Sequence, residues 1–328
     1  MDKNFTKMLI KDSADAIKSV MKSSAMQYRN ANLDDASEFV ARQLTYNRAM
    51  VFSVEKSPLE AFNIFNVSTD IPAGAKSAVR TVYTDAGLAK IVANPADDLP
   101  TTDLYAKEVM VQVRTIATAY TYSLEELENA AFANVNLPMK KALAAKDAID
   151  RKINELAFFG DKDYSIVGFI DNPNVNTYTV KKDGTGSSAK FSAKSPDKIL
   201  RDVNEIVNSV RNNTKGIVTP DKVLFSPEVY DIVNTTPYSA VEPGTILTHL
   251  KSMNPQIKEW IPVYAFAGKG MIIAGAFDSP LYAHLEIPQT YVQVAPQPTN
   301  LSIKIPVYAT TAGVTVERPF AFSKATGL

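Results

Sequence analysis

Cysteine is absent from this 328-residue chain, histidine occurs twice and tryptophan once. Without cysteine there is no disulfide framework, no thiolate nucleophile, no iron–sulfur cluster and no cysteine zinc site. His249 and His284 alone cannot make a three-histidine metal site. An excess of charge is also missing: 35 Lys and Arg stand against 35 Asp and Glu. That argues against a protein whose main task is wrapping nucleic acid, an affinity built from many cation–phosphate contacts. No window of about 20 residues is apolar enough to span a bilayer. The nearest, 260–277, is broken by Pro262, Gly268, Lys269, Gly270 and Gly275, and reads as two buried strands with a turn. The first 20 residues do not read as a signal peptide, because Asp12 and Asp15 follow the longest apolar run, Met8–Ile10. The expectation is a protein made in a cytoplasm that stays soluble or assembles there, with no membrane partner.

What is present reads as folded protein, with 45% apolar and 21% charged residues. Phe5, Met8, Leu9, Ala16, Ile17, Val20 and Met21 form a helical stripe with a polar gap. A polar stretch and a second short helix follow, so residues 1–50 look like an arm. From Val51 the pattern turns to β. Val79, Thr81 and Tyr83 alternate with Arg80 and Val82, and Asp85-Ala86-Gly87 signals a turn. Residues 107–123 alternate again, and their outer part reads as one leg of a long hairpin with an exposed polar face. An isolated two-stranded hairpin is marginal in water, so such an arm needs something to lie on.

Ser123 and Glu126 have capping-box spacing and open a short helix. Pro138 suits the first turn of the longest helix, expected at about 137–159. Ala142, Ala145, Ile149, Ile153 and Leu156 make one continuous stripe, and Gly160 is placed to cap the end. Lysines and acids cover the remaining surface, so the rod should be half exposed. Residues 181–195, with Asp183-Gly184-Thr185-Gly186, read as a flexible loop and a boundary. Beyond it the pattern predicts a helix over 197–211, a buried strand at 223–225 and a helix start at 227–233. Further strands are expected at 263–266 and 271–274, and a return to β over 291–320.

The search for chemistry finds little. Gly184-Thr185-Gly186 lacks the phosphate-loop spacing. Asp161, Asp163 and Asp171 lack the glycine and bidentate glutamate of a calcium loop. Glu125, Glu126 and Glu128 could do acid–base work if burial separated their proton affinities, but stabilising a helix start is the simpler use. Lys181, Lys182, Lys190 and Lys194 form a local basic loop. No catalytic, cofactor-binding or metal site is expected.

The order of parts carries more. The segments Val113-Arg114-Thr115-Ile116-Ala117-Thr118-Ala119-Tyr120 and Ser123-Leu124-Glu125-Glu126-Leu127 resemble a strand-to-helix junction of tailed-phage major capsid proteins with the Hong Kong 97-type fold. Phe158-Phe159-Gly160-Asp161 with Gly168-Phe169-Ile170-Asp171-Asn172-Pro173 is similar to the segment after that family's spine helix. Phe225-Ser226-Pro227-Glu228-Val229-Tyr230 and Val316-Glu317-Arg318-Pro319-Phe320 resemble its axial-domain strand and its closing strand. The resemblance covers roughly residues 40–325.

This resemblance implies an α+β chain: N-terminal arm 1–50, lead-in to a peripheral domain 51–67, extended loop 68–110, peripheral domain with spine helix 111–194, α/β axial domain 195–290, and peripheral return strands 291–328. It implies a structural, non-enzymatic protein of a bacteriophage or prophage virion. Its copies would form pentamers and hexamers of an icosahedral shell around double-stranded DNA, assembled in the host bacterial cytoplasm. Portal, scaffold or decoration proteins would be partners, and DNA contact would be weak and non-specific. Arg80, Asp85, Lys90, Asp97, Asp98, Lys107 and Glu108 are the candidate inter-subunit contacts, because opposite charges fix register at such joints. An encapsulin-type nanocompartment shell is the alternative, and a carboxylate-using α/β enzyme a further rival.

Overall fold

A computed structural model describes residues 55–87, 101–132, 137–239 and 243–328. The elements in order are α1 (Glu60–Ile64), β1 (Asn66–Ser68), β2 (Ser77–Ala86), β3 (Asp103–Gln112), β4 (Arg114–Ser123), α2 (Leu124–Phe132), α3 (Leu137–Phe159), β5 (Gly160–Asp161), β6 (Ile166–Val167) and β7 (Asn176–Thr177). Then come α4 (Pro196–Asn213), β8 (Lys222–Phe225), α5 (Pro227–Thr235), α6 (Ile246–Met253), β9 (Glu259–Pro262), β10 (Met271–Gly275), β11 (Ala283–Glu286), β12 (Gln289–Gln293), β13 (Gln297–Thr299), β14 (Ser302–Thr311), β15 (Gly313–Val316) and β16 (Phe322–Thr326). They fall into two compact units. One comprises the described parts of 1–58, 119–147 and 293–307; the other comprises those of 59–118, 148–292 and 308–328.

The larger unit is organised by a five-stranded mixed sheet in the order β7-β16-β10-β8-β9. Strands β8 and β10 are buried along their whole length, as unbroken apolar runs such as Met271-Ile272-Ile273-Ala274 require. Helix α4 packs on β10 and β16. Of its apolar residues, Ile199, Val203, Ile206, Val207 and Val210 form the buried face, while Leu200 is only half-buried. Beside the sheet, Phe65, Phe169, Phe277 and Phe322 meet with ring centroids 5.0–5.7 Å apart, mostly edge to face. Gly275 makes room for that cluster: a Cβ there would lie 2.2 Å from Phe322 Cδ1.

The long helix α3 runs over the residues its pattern predicts, and its stripe Ala142, Ala145, Ile149, Ile153 and Leu156 is buried. It ends at Gly160, whose φ of +67° is left-handed. A Cβ at Gly160 would meet the Gly168 nitrogen and the Ile166 oxygen at 2.3 Å, so β5 and β6 require glycine here.

In the smaller unit the end of β4 packs Tyr120 against Tyr122. Tyr120 donates to Gln293 Oε1 at 3.1 Å, and burial pushes its hydroxyl up to about 12. The glutamate half of the capping box forms: the Ser123 amide donates to Glu126 at 3.2 Å.

Several expectations need correction. The 107–123 segment is not one strand: Val113 is buried between β3 and β4, and its amide donates to Lys76 O at 2.9 Å. The strand expected at 263–266 is displaced to β9, and Tyr264–Phe266 is a 3₁₀ turn. The cause is distant in sequence: the buried Glu60 carboxylate accepts from the Tyr264 and Ala265 amides at 2.7 and 3.1 Å. Helix α6 was not foreseen; Thr245 caps it by accepting from the Thr248 amide. The closing segment is divided, because its last strand β16 pairs with β10 in the central sheet.

The loop 181–195 is not loose. Lys194 has a fully buried side chain, 2.5 Å from the equally buried Asp202 and 3.3 Å from Asp183. It also donates to Lys181 O at 2.6 Å. Arg201 closes the network on Asp183 and Asp202 at 2.7 and 2.6 Å. The lysine read as part of a basic surface is thus the inward anchor of its loop.

Candidate assembly surface

Strands β2 and β3 form a ten-rung antiparallel hairpin, from Ser77 opposite Gln112 to Ala86 opposite Asp103. Its root is held by apolar contact and by charge. Ile71, Val113 and Ala312 form a small core there, with Ala75, Ala78 and Val111 packed against it. Two rungs further out, Arg80 Nη2 reaches Glu286 Oε1 at 2.6 Å on β11, and its Nη1 pairs with Glu317 beyond β15. Glu286 is 1% exposed. Burial pushes its carboxyl up, but the hydrogen bond and charge of His284, the hydrogen bond from Ser68 and the charge of Arg80 outweigh that and hold it below the usual carboxylate range.

Outward from the root the hairpin is exposed on both faces: every residue from Asp103 to Met110 is exposed. Strand alternation and the register sort the side chains. One face carries Val79, Tyr83, Leu104 and Met110, of which Tyr83 is 63% exposed and Leu104 and Met110 each 61%. The other carries Val82, Tyr105, Lys107 and Val109. Large apolar groups on both sides of a solvated ribbon mark a binding surface more than a folding unit.

Of the residues read as contacts, Lys107 and Glu108 lie exposed on opposite faces of β3, across from Val82 and Thr81. Asp85 stands opposite Leu104 in the backbone ladder. Lys90, Asp97 and Asp98 lie outside the described residues. Arg80 differs in kind from these: its guanidinium is engaged within its own chain. Sequence reading missed the partners of Arg80, because His284, Glu286 and Glu317 lie some two hundred positions away and belong to no local motif. It also undervalued Tyr83, Tyr105 and Met110 by attending to charge.

The carboxylates considered for catalysis are occupied otherwise. Glu126 accepts from Lys141 at 2.7 Å and from Ser123, and these bonds hold its carboxyl low. Asp161 accepts from the Asp163 amide at 3.0 Å, in the other compact unit. Among the described residues no group of three or more His, Asp or Glu side chains is arranged to hold a metal ion, and no helix is long and apolar enough to cross a membrane.

Known proteins place this architecture. A family model described as major capsid protein matches residues 87–328. The capsid of Myoviridae phage XM1 is similar in structure, with a TM-score of 0.73 at 18% identity over 88% of this chain and 98% of that one. The capsid chain of a native GTA particle gives 0.61 at 13% identity over 90% and 99%. A structure described as Mycobacterium phage Bobi gives 0.59 at 16% over 89% and 98%. No match was found among curated proteins. The structural likenesses carry the Hong Kong 97-type fold, and the family match spans well over half of the sequence: the chain belongs to the major capsid protein family.

Proposed function

We propose that this capsid protein works by laying its β2–β3 hairpin across a neighbouring copy, so that each subunit's exposed ribbon is buried by the next. The observation that carries the reading is the run of exposed residues 103–110, apolar groups on both faces included. A ribbon of that kind gains stability only when covered. Lys107 and Glu108, with Asp85, Lys90, Asp97 and Asp98 of the same loop, would set register against the neighbour more than add affinity.

In this reading copies form pentamers and hexamers of an icosahedral shell in the host cytoplasm, around double-stranded DNA. The charge balance of 35 against 35 suits close packing of many copies, since a large net charge would repel across every joint. DNA inside would then be neutralised mainly by mobile ions, and portal, scaffold or decoration proteins would complete the particle. Electron microscopy of the recombinant chain tests this: closed particles are expected, and a monodisperse monomer at high concentration under all conditions would overturn it. Replacing 81–108 with a short turn keeps the anchored root; that chain should fold but close no shells.

A further inference from the structure

A groove of about 1000 Å³ runs beside the base of the hairpin, bounded on one side by residues 81–83. Three turns supply its apolar tips. Helix α4 ends in a Schellman arrangement: the Gly216 amide donates to Arg211 O at 2.8 Å and the Lys215 amide to Asn212 O at 3.2 Å, with Lys215 left-handed at φ +52°. Just beyond this turn Ile217 is 77% exposed. Leu281 stands in the turn where the Tyr282 amide donates to Ser279 O at 3.2 Å, and is 67% exposed. Phe320 lies in the 3₁₀ turn Pro319–Ala321 and is 61% exposed. Turns are ordinarily built from Gly, Pro, Asn, Asp and Ser. Large apolar groups raised by three separate turns around one groove mark a surface that something covers.

The groove also carries cations without acids. Lys215 and Arg318 are exposed, and neither has an acidic partner among the described residues; Arg318 lies over the Tyr282 ring at 5.8 Å. Of the acids that line the groove, Glu317 is held by Arg80, and Asp70 accepts from the Ser68 hydroxyl. The turn by itself does not call for lysine at 215, since glycine takes a left-handed position more easily.

The hairpin offers the complement. Its register puts Ala78, Arg80 and Val111 on one face, and that face is tied to the subunit's own body, through the small apolar core and through Glu286 and Glu317. The opposite face has no such tie. It carries Val79, Tyr83, Leu104 and Met110, with Glu108 and the register position of Asp85, and no Lys or Arg. Apolar groups with acids on the ribbon answer apolar groups with cations in the groove. Ribbon and groove are different surfaces of one chain, so a joint between them is heterologous. Each copy then gives a hairpin and receives one, which is the arrangement that closes into rings.

We propose that this groove seats the outer hairpin of a second copy: Tyr83, Leu104 and Met110 cover Ile217, Leu281 and Phe320, and Glu108 lies against Lys215 and Arg318. The proposal rests on the assembly reading above and adds which surface receives the ribbon. The charges fix the register of the joint, and the apolar groups hold it.

The chain has no cysteine of its own, so Ile217→Cys takes a single benzophenone-maleimide label. Labelled full-length chain is assembled with an excess of unlabelled wild type grown in heavy nitrogen, irradiated, and mapped by mass spectrometry. The expected adducts lie on residues 103–110 of heavy copies, in particles and not in dissociated subunits. The reverse label, Leu104→Cys, should mark heavy peptides covering 214–218, 280–282 or 317–320; it decides alone if the first label blocks assembly. Particles whose adducts fall on another part of the neighbour, or only within the labelled chain, would overturn the proposal and leave the assembly reading standing. Absence of particles from unlabelled wild type under all conditions would overturn both. In the unlabelled chain Glu108→Lys should raise the concentration needed for particles several-fold, and Lys215→Glu with Arg318→Glu in the same chain should restore it. Failure of that rescue would overturn the charge match that selects this groove.

Discussion

Replacing Leu104 and Met110 by serine removes two large apolar groups from one face of the hairpin, both 61% exposed in the isolated subunit. Complete burial of such a side chain is worth about 1.5–3 kcal/mol. Only the exposed share remains for a neighbour to cover, so each contributes about 1–2 kcal/mol to a joint that buries it, and the pair about 2–4 kcal/mol. At 1.4 kcal/mol per factor of ten, the concentration of subunit needed for particles should rise roughly 30- to 700-fold. Folding of the subunit should be nearly untouched, since exposed substitutions away from special features stay within about 0.5 kcal/mol. Light scattering and sedimentation against concentration give the first quantity, and urea denaturation of dissociated subunits the second. A threshold unchanged within about threefold, with subunit stability also unchanged, would refute the argument that a neighbour covers this face.

Other substitutions probe the scaffold behind the hairpin. Lys194→Met leaves the buried Asp202 with Arg201 as its remaining cation, and should lower the urea-unfolding stability by about 3 kcal/mol; Lys194→Met with Asp202→Leu should recover part of it. Gly275→Ala drives a methyl into the Phe322 ring, and should cost about 1–3 kcal/mol by the same assay. Tyr120 has its hydroxyl raised from 10 to about 12 by burial, so its contribution is complete below pH 10 and lost as pH rises toward 12. Tyr120→Phe should flatten that alkaline limb of a stability-against-pH profile, and an unchanged limb would assign it to another group.

Local pattern and distant packing divide the readable from the unreadable. Helix α3 was legible end to end because Pro138, the Ala142-to-Leu156 stripe and Gly160 all act within a few turns of one another. The buried runs of β8 and β10 were legible for the same reason. The 3₁₀ turn at 264–266 was not, because the carboxylate that organises it is Glu60, two hundred residues earlier. Nor was the ordering of 181–195. Composition there says loop, while Lys194 turns inward only because α4 brings Asp202 to it. At the candidate surface the alternation of β2 and the outer part of the 107–123 segment announced a hairpin, but the contacts that anchor it cross between β2, β11 and the end of β15.

By itself the sequence determined that cysteine chemistry was closed to the chain, and which of the strongly patterned segments, such as α3, α4 and β10, would be helix or strand. Absent cysteine and scarce histidine act through composition, and periodicity acts through neighbours on one face. It also determined that a long ribbon would be left without cover, since alternating residues of both polarities cannot bury two faces at once. Only the tertiary structure decided what the charged residues do. Arg80 and Lys194 look in sequence like Lys107, one more surface cation each. Folding places Arg80 against Glu286 and Glu317, and Lys194 beside Asp202, while Lys107 stays in water. The physical reason is that a charge takes its role from its partners and its burial, and both are set by elements far away in the chain.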